Sequence, residues 1–471
     1  MIKLALPTGD LRVPTSERLS AAGLYVEGYG EGSRKLRSLP VPSQPDARVR
    51  VFRERDIPMQ VALGNYDIGI TRLSFVTEMQ VRFPDQPIVP LADLQIGRAG
   101  LFAAAPQDAF PTLTDLGRLT SVRIASDMPN IADKFARAAR FPRYRLQSVW
   151  GAAEAYPPED ADLVVFAAPD EDAVRKLGLE PLFSLMSDSL WLIANAAALA
   201  SKDLTAILTP LMQGARGTHN GRLRLPAPIN AVPSATERPP RDFVRLAIPD
   251  GHQQRHVHGA LKGGGIEFEG YEEKTYVRRP PSGMDGVEVK VIRPQDMAQL
   301  VALGEFDLAI AGRDTLNEHL FAFPNSPAYE LIDLHVSPYN ISAVVDGDLP
   351  ADTMDEALAY WRAQGKRSIT VAAEFPATAD HYARSRHFWR YQVMPIAGAS
   401  EAFVPEDADI LIEGTETGKT IAENNLKIID NINRSTTCVI ARRNSEPSGP
   451  RAEAYHALVE RLRNAGEAAL V

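Results

Sequence analysis

Short apolar runs alternate with stretches of helical periodicity, and the pattern is clearest in the second half of the chain. Residues 287–293 (VEVKVIR) and 306–312 (FDLAIAG) predict two strands. Between them, residues 294–305 (PQDMAQLVALGE) predict a helix with Pro294 in its first turn. This order is typical of βαβ units, so we expect an α/β fold with mostly parallel sheets. A second lobe with the order strand, helix, strand, strand is predicted at residues 369–375, 377–386, 391–398 and 408–414.

The two halves of the chain repeat each other. Residues 52–70 match residues 292–310 with eight identities in 19 positions and no gap. Residues 151–162 match residues 398–409 with nine identities in 12. A period of about 240 residues is too long for a solenoid repeat, so we interpret the chain as two diverged copies of one bilobal unit. Two shorter matches in the same order join residues 3–10 to 245–252 and residues 123–137 to 370–384.

The repeat also predicts where the units begin and end. The segment between the copies is rich in proline and glycine and has weak periodicity, as expected of a surface linker. A last amphipathic helix has Tyr455, Leu458, Val459 and Leu462 at helical spacing. The predicted organisation is a first unit at 1–213, a linker at 214–242, a second unit at 243–445 and a C-terminal helix at 446–471.

Composition narrows the class of protein. With 45% hydrophobic and 24% charged residues, the 471-residue chain resembles an average globular protein. A formal net charge of -9 argues against nucleic-acid binding, which needs a basic face. No apolar run reaches the roughly 18 residues of a membrane helix, and the first ten residues predict a strand instead of a signal segment. The single cysteine, Cys438, forms no intramolecular disulfide, and we expect a cytoplasmic protein with no membrane partner.

One loop differs sharply between the copies. After the last predicted strand of its second lobe, the second copy has EGTETGKTIAENNL (413–426), where the first has FAAPDEDAVRKLGL (166–179). Glycines, successive backbone N–H groups and a following helix suit the second version to an anion such as a phosphate. The first version places three acidic residues there, which would repel a phosphate. The alternative is a plain strand–turn–helix connection with threonine caps. The residues predicted to bind phosphate and sugar are Glu413, Gly414, Thr415, Glu416, Thr417, Gly418, Lys419 and Thr420.

These motifs resemble the ATP phosphoribosyltransferases that open histidine biosynthesis. The first copy is similar to that family at LPTGDL, GSRKL, RERDIP and NYDIGI, and the second at EFDLAIAGRDTL, VAAEFP, GASE and ADILIEGTETGKTIAENNL. The resemblance implies two lobes of the type II periplasmic-binding-protein-like fold, with STTCVIARR and DSLWLIANA as strands that return to the first lobe. It implies a pentosyl transfer, in which N1 of ATP attacks phosphoribosyl pyrophosphate with Mg²⁺ and pyrophosphate leaves. Residues 413–420 would then hold the 5-phosphate and ribose, and Glu374 and Glu401 would line the cleft.

The chain also departs from the family pattern. Lysine and arginine usually follow the first strand, but here Thr8, Gly9 and Asp10 stand in the first copy and Asp250, Gly251 and His252 in the second. We therefore keep two alternatives: transfer to another acceptor, and a non-catalytic ligand-binding regulator.

Family members work as dimers, which suggests an intramolecular pseudo-dimer in this chain. In that arrangement the first copy would contribute Arg34 and Lys35 to the site of the second, and Arg313 would contact the ligand. Arg53 and Arg293 recur in both copies and fit either a salt bridge or a ligand contact. A homo-oligomer or a separate regulatory subunit is a further expectation, and no metal-ligand set is predicted from protein residues alone.

Overall fold

The computed structural model describes most of both units. The described residues are 1–30, 32, 36, 39–215, 221–229, 231–234, 241–272, 277–415, 418–444 and 447–469. Four of the predicted site residues, Arg34, Lys35, Glu416 and Thr417, lie outside these ranges. Within them, no helix has both the length and the apolar character needed to cross a membrane.

The first unit starts in one lobe, crosses to a second and returns. Its first lobe contains β1 (Ile2–Pro7), α1 (Arg12–Ala21), β2 (Leu39–Pro40), β3 (Ala47–Phe52), α2 (Ile57–Ala62), β4 (Ile68–Arg72), α3 (Leu73–Arg82) and β5 (Ile88–Asp93). The second lobe contains β6 (Ala99–Pro106), α4 (Leu113–Gly117), β7 (Val122–Ser126), α5 (Pro129–Ala139), β8 (Tyr144–Ser148), β9 (Leu163–Ala168), α6 (Glu171–Lys176) and β10 (Leu179–Asp188). The chain returns through β11 (Leu190–Asn195), α7 (Ala196–Ser201) and α8 (Thr205–Met212).

The second unit repeats this path. Its first lobe contains β12 (Val244–Pro249), α9 (Gln254–Gly263), β13 (Val287–Ile292), α10 (Pro294–Ala302), β14 (Leu308–Gly312), α11 (Arg313–Ala322) and β15 (Ala328–Asp333). Its second lobe contains β16 (Tyr339–Asp346), α12 (Met354–Ala363), β17 (Ile369–Ala373), α13 (Pro376–Ser385), β18 (Tyr391–Pro395), β19 (Ile410–Thr415), α14 (Lys419–Glu423) and β20 (Leu426–Ser435). It returns through β21 (Thr437–Arg442) and ends with α15 (Pro450–Ala468).

The sheet topology confirms the predicted bilobal α/β fold class, but the expectation of mostly parallel sheets is wrong. Among the described strands, antiparallel pairs are as common as parallel ones, because strands such as β6, β11, β16 and β21 run against their neighbours. The four sheets have the orders β2-β3-β1-β4-β11-β5, β10-β6-β9-β7-β8, β13-β12-β14-β21-β15 and β18-β17-β19-β16-β20. The returning strands β11 and β21 each lie antiparallel between two strands of the first lobe. Each unit is therefore bilobal and of the type II periplasmic-binding-protein-like kind, and the predicted returns at DSLWLIANA and STTCVIARR are confirmed.

Local sequence explains where helix α5 begins and ends and which faces of α5 and α15 are buried. Helix α5 starts with Pro129 in its first turn, where a missing N–H costs nothing, and ends at Arg140 with a left-handed φ of 58°. Its buried face, Ile131, Phe135 and Ala139 among others, recurs at helical spacing and packs in the first unit's core. Helix α15 buries Leu458 and Leu462 against the first-lobe sheet of the second unit.

The two units pack through equivalent ion pairs on opposite sides. Arg50, the fourth residue of β3, lies 3.5 Å from Asp407 in the second unit. Lys290, the fourth residue of β13, lies 2.7 Å from Asp160 in the first unit, and both side chains are almost fully buried. The first lobe of each unit thus docks on the second lobe of the other. This reciprocal packing is the arrangement expected of an intramolecular pseudo-dimer.

Two buried aspartates strengthen the same interfaces. Asp56 accepts hydrogen bonds from the backbone N–H of Ala397 (3.1 and 3.0 Å), and Asp296 accepts them from the N–H of Trp150 (3.3 and 3.2 Å). Burial raises the pKa of each aspartate to about 7, against the lowering effect of these hydrogen bonds. Each aspartate therefore fixes a backbone segment of the opposite unit, Ala397 or Trp150, and both of these residues line a cavity between the units.

Candidate active site

One cavity of about 840 Å³ lies between the two units. Its size is in the upper part of the range of small-molecule sites. Both units contribute to its wall, so neither unit forms it alone. The first unit provides Arg53, Glu54, Arg55, Phe75, Asp127 and Trp150, and the second provides Asp250, His252, Arg293, Asp314, Tyr339, Glu374, Glu413 and Gly414 among others.

Three carboxylates of the second unit influence one another beside this cavity. Glu413, on β19, accepts a hydrogen bond from the hydroxyl of Ser400, and Glu401 follows Ser400 in the chain. Burial, followed by the charge of Glu374, raises the pKa of Glu413 well above its ordinary value. Burial also raises the pKa of Glu374, and the charge of Glu401 adds to that effect. The sequence-predicted residues Glu374, Glu401 and Glu413 are therefore brought together, and their negative charges favour a cationic partner.

Arg53 of the first unit provides such a partner. A Cβ atom added to Gly398 would lie 2.9 Å from Arg53 Nε and 3.0 Å from Glu374 Oε1, so both side chains approach the same point beside this glycine. Gly398 has a φ of +121°, a conformation that favours glycine. The charge of Arg53 partly offsets the raised pKa of Glu374. Arg53 recurs at the same position in both copies of the sequence, but only the docking of the two units brings it near the second unit's carboxylates.

The structure describes the two ends of the predicted phosphate loop, residues 413–415 and 418–420. Gly418 has a φ of 66° and precedes α14, whose first turn has no side-chain cap. Lys419 is largely exposed, with its Nζ 3.9 Å from Glu423, and Thr420 is exposed. Free N–H groups and an unburied lysine are what a phosphate-binding turn requires. The assignment of this loop to the donor's phosphate stays a prediction.

Two loop residues have roles that differ from the expectation of a glycine-lined turn. Gly414 has an extended backbone within β19, and a Cβ there would lie 3.0 Å from the ring of Tyr339. Its function is to allow this close approach, not a positive φ. The hydroxyl of Thr415 is buried and lies 2.8 Å from the hydroxyl of Ser342. Thr415 therefore stabilises the strand end from which the loop leaves.

In the first unit, a carboxylate of the equivalent turn caps the N-terminus of the helix that follows. The carboxylate of Asp170 caps α6 by accepting the backbone N–H of Ala173 (2.7 Å). Glu171 and Asp172 both pair with Arg175 at 3.2 Å. A negative side chain thus occupies the position where a phosphate would bind, as the sequence indicates.

Arg313 is paired with two carboxylates. Its Nε and Nη2 donate to Glu330 at 2.7 Å each, and Nη2 also lies 2.6 Å from Asp333. These hydrogen bonds raise the pKa of Arg313. The residue that follows it, Asp314, lines the cavity. A ligand contact by Arg313 stays a prediction that would require it to leave this bidentate pair.

The fold and the site together define a bilobal α/β enzyme of the phosphoribosyltransferase type. Residues 53–214 and 293–464 match the family HisG: ATP phosphoribosyltransferase. The chain belongs to this family. It is 32% identical over 207 residues to the ATP phosphoribosyltransferase of Methanosarcina barkeri, with 43% of this chain and 67% of the relative covered. It is 30% identical over 191 residues to the enzyme of Thermotoga maritima, with 40% and 80% covered.

Among solved structures, one that the chain matches is the ATP phosphoribosyl transferase (HisG:HisZ) complex from Thermotoga maritima. The identity is 22% and the TM-score is 0.38, over 48% of this chain and 99% of that chain. The predicted family and enzyme class are confirmed by the matches to the family and to its curated members.

Proposed function

We propose that this chain joins ATP to phosphoribosyl pyrophosphate, releasing pyrophosphate, in the first step of histidine biosynthesis in the cytoplasm. The observation that carries the proposal is the cluster of Glu374, Glu401 and Glu413, of which Glu374 and Glu413 line a cavity that arginines of both units also line. Family membership supplies the substrate class, and the cluster supplies the chemistry. One reaction site per chain is proposed, because the phosphate loop is intact in the second unit alone.

The carboxylates suit displacement at an anomeric carbon. As the bond to pyrophosphate breaks, positive charge develops on the ribose ring, and fixed negative groups nearby stabilise it. Glu413 and Glu374 line the cavity, and their raised pKa values show that each resists ionisation while no cation is present. A developing cation would favour their charged forms, so their stabilising effect is largest in the transition state.

The leaving group needs the opposite charge. Arg53 of the first unit and Arg293 of the second line the same cavity. Arg293 Nη1 lies 3.1 Å from Asp250, while its buried Nε has no hydrogen-bond partner. Such a donor is available to a phosphate oxygen, and guanidinium groups bind phosphates bidentately. We therefore assign pyrophosphate stabilisation to Arg53 and Arg293.

The cavity also fits Mg²⁺ held together with substrate phosphates. Mg²⁺ in such sites takes one or two carboxylates and otherwise phosphate oxygens and water. Here the phosphates of the bound substrates would supply most of its ligands, because Glu374 and Glu413 resist ionisation. The ion, when bound, neutralises charge on the departing pyrophosphate. Homo-oligomerisation or a separate regulatory subunit stays a prediction that light scattering would test.

Activity is tested with ATP, phosphoribosyl pyrophosphate and Mg²⁺, with pyrophosphate removed enzymatically and the absorbance of N1-substituted adenine recorded. Lys419→Ala with Thr420→Ala should weaken donor binding by at least 10-fold, because about 1.4 kcal/mol of charge and hydroxyl contacts is lost. The matched control is Asp170→Ala with Glu171→Ala in the first unit's turn, which should leave donor binding within about 2-fold. Phosphoribosyl transfer to a different acceptor, or donor binding without any product, would refute the proposed reaction.

A further inference from the structure

The side chain of Trp150 is exposed inside the shared cavity. It belongs to the first unit, its residue is 44% exposed, and it lines the same space as Glu413 and Gly414 of the second unit. Ligand-sized cavities are typically lined by aromatic side chains whose accessible faces contact the bound molecule. A molecule that fills the cavity would therefore contact the indole of Trp150.

The interface between the units does not need this indole. The contact that Trp150 makes there is its backbone N–H donating to Asp296. In the equivalent contact on the other side, the backbone N–H of Ala397 donates to Asp56 in the same way. Alanine is thus sufficient for that contact. The indole is therefore an addition of the first unit, at a position where the matching residue of the second unit, Ala397, has only a methyl group.

The neighbours of Trp150 form a surface suited to a flat, polar ring. The guanidinium of Arg55 lies 5.8 Å from the centre of the indole and donates to the backbone carbonyl oxygen of Asp127. The Oδ1 atom of Asp127 is buried and has no hydrogen-bond partner. An indole and a guanidinium offer stacking faces to a nucleobase, and a free carboxylate oxygen accepts from an exocyclic amino group.

We propose that Trp150 and Arg55 form the platform on which the purine base of the acceptor nucleotide stacks, with Asp127 Oδ1 accepting its amino group. This inference rests on the proposed function, and it makes the first unit the source of acceptor specificity. The donor then lies against Glu413 and the phosphate loop of the second unit. Each substrate is held mainly by a different unit, and the base approaches the ribose across the boundary between them.

Fluorescence gives a direct test, because the chain has four tryptophans and Trp150 is the exposed one. Trp191 and Trp361 are 2% and 8% exposed, and Trp389 donates its indole N–H to the carbonyl of Arg367. Titration with ATP, without donor, should quench the emission of the wild-type chain. The quench should vanish in Trp150→Phe and persist in the control Trp389→Phe. An equal quench in Trp150→Phe would overturn the proposal.

Affinity gives an independent test. By calorimetry, Trp150→Ala should bind ATP roughly 5- to 150-fold more weakly, the range expected for loss of one base–aromatic stack. Trp150→Phe should recover most of that affinity, and the affinity for phosphoribosyl pyrophosphate should stay within about 2-fold in both variants. ATP binding at wild-type strength in Trp150→Ala, or an equal loss for donor and acceptor, would overturn it. If ATP quenches Trp150 but no phosphoribosyl-ATP forms, the base site stands and the proposed reaction fails.

Discussion

Gly398→Ala tests the proposed active site most directly, because the matching glycine of the first unit, Gly151, provides a control substitution. Gly398 and Gly151 occupy equivalent positions in the two units, with φ of +121° and +113°. Alanine at either position meets the same backbone strain, of order 1–3 kcal/mol. Both variants should therefore lose similar stability, as measured by urea unfolding.

The two substitutions differ in what the new methyl group contacts. At position 398 it would lie 2.9 Å from Arg53 Nε and 3.0 Å from Glu374 Oε1, whereas at position 151 the nearest atom, Arg293 Nε, lies 3.8 Å away. The first contact forces Arg53 and Glu374 to shift by several tenths of an ångström or more, and the second is an ordinary van der Waals contact. A displacement of about 1 Å at a reacting centre can cost 10²-fold in rate.

We therefore expect Gly398→Ala to lower kcat about 100-fold while Gly151→Ala changes it by less than about 3-fold, at matched loss of stability. Steady-state kinetics on both variants, at a temperature where both remain folded by circular dichroism, makes the comparison. Equal effects of the two substitutions on kcat, or near-normal turnover in Gly398→Ala, would refute the reasoning that Arg53 acts on the second unit's carboxylates.

Three further predictions follow from pairs across the lobes and units. Glu318 accepts two backbone N–H groups at the start of α13 (2.7 and 2.8 Å), and Glu78 does the same for α5 (2.8 and 2.9 Å). Glu318→Gln and Glu78→Gln should therefore each lower the free energy of unfolding in urea by about 1.5–3 kcal/mol. Only Glu318→Gln, in the unit that carries the proposed site, should also lower kcat, by about 10-fold. Burial raises the pKa of Asp56 from an ordinary 3.8 to about 7, so its contribution to stability is present below about pH 4 and is lost as pH rises towards 7. The free energy of unfolding of Asp56→Asn should therefore rise relative to that of the wild type by up to about 4 kcal/mol across that range. A difference between the two proteins that does not change with pH would contradict this. Lys290→Met, which leaves the carboxylate of Asp160 with one fewer buried partner at 2.7 Å, should cost about 3–5 kcal/mol in the same assay, and an unchanged midpoint would contradict it.

The sequence predicted the fold well because its signals are local or repeated. The two returning strands are continuous apolar runs, and β11 and β21 lie where those runs predict them. The duplication itself follows from identities spread over both copies. Each of these inferences needs only periodicity and order along the chain, and no knowledge of how the units dock.

The parts of the site that sequence did not place are those set by docking and by distant partners. Arg53 recurs with Asp56 in one short motif, which fits a local salt bridge or helix cap as well as it fits a ligand contact. In the structure Asp56 accepts the N–H of Ala397, and Arg53 approaches Gly398 and Glu374, all in the other unit. The carboxylate that binds Arg313 bidentately, Glu330, follows 17 residues later on β15. No periodicity in the chain encodes either contact.

Fusion of two units in one chain explains how their clefts can diverge. In a symmetric dimer each subunit must keep its phosphate-binding turn as well as the arginines that reach its neighbour, because both sites use the same sequence. Here the first unit's turn is closed by the carboxylate of Asp170, while its Arg53 and Trp150 still line the shared cavity. We therefore expect two classes of substitution in the first unit. Those near Asp170 should affect the stability of that unit, and those at the cavity wall should affect the chemistry proposed for the second unit.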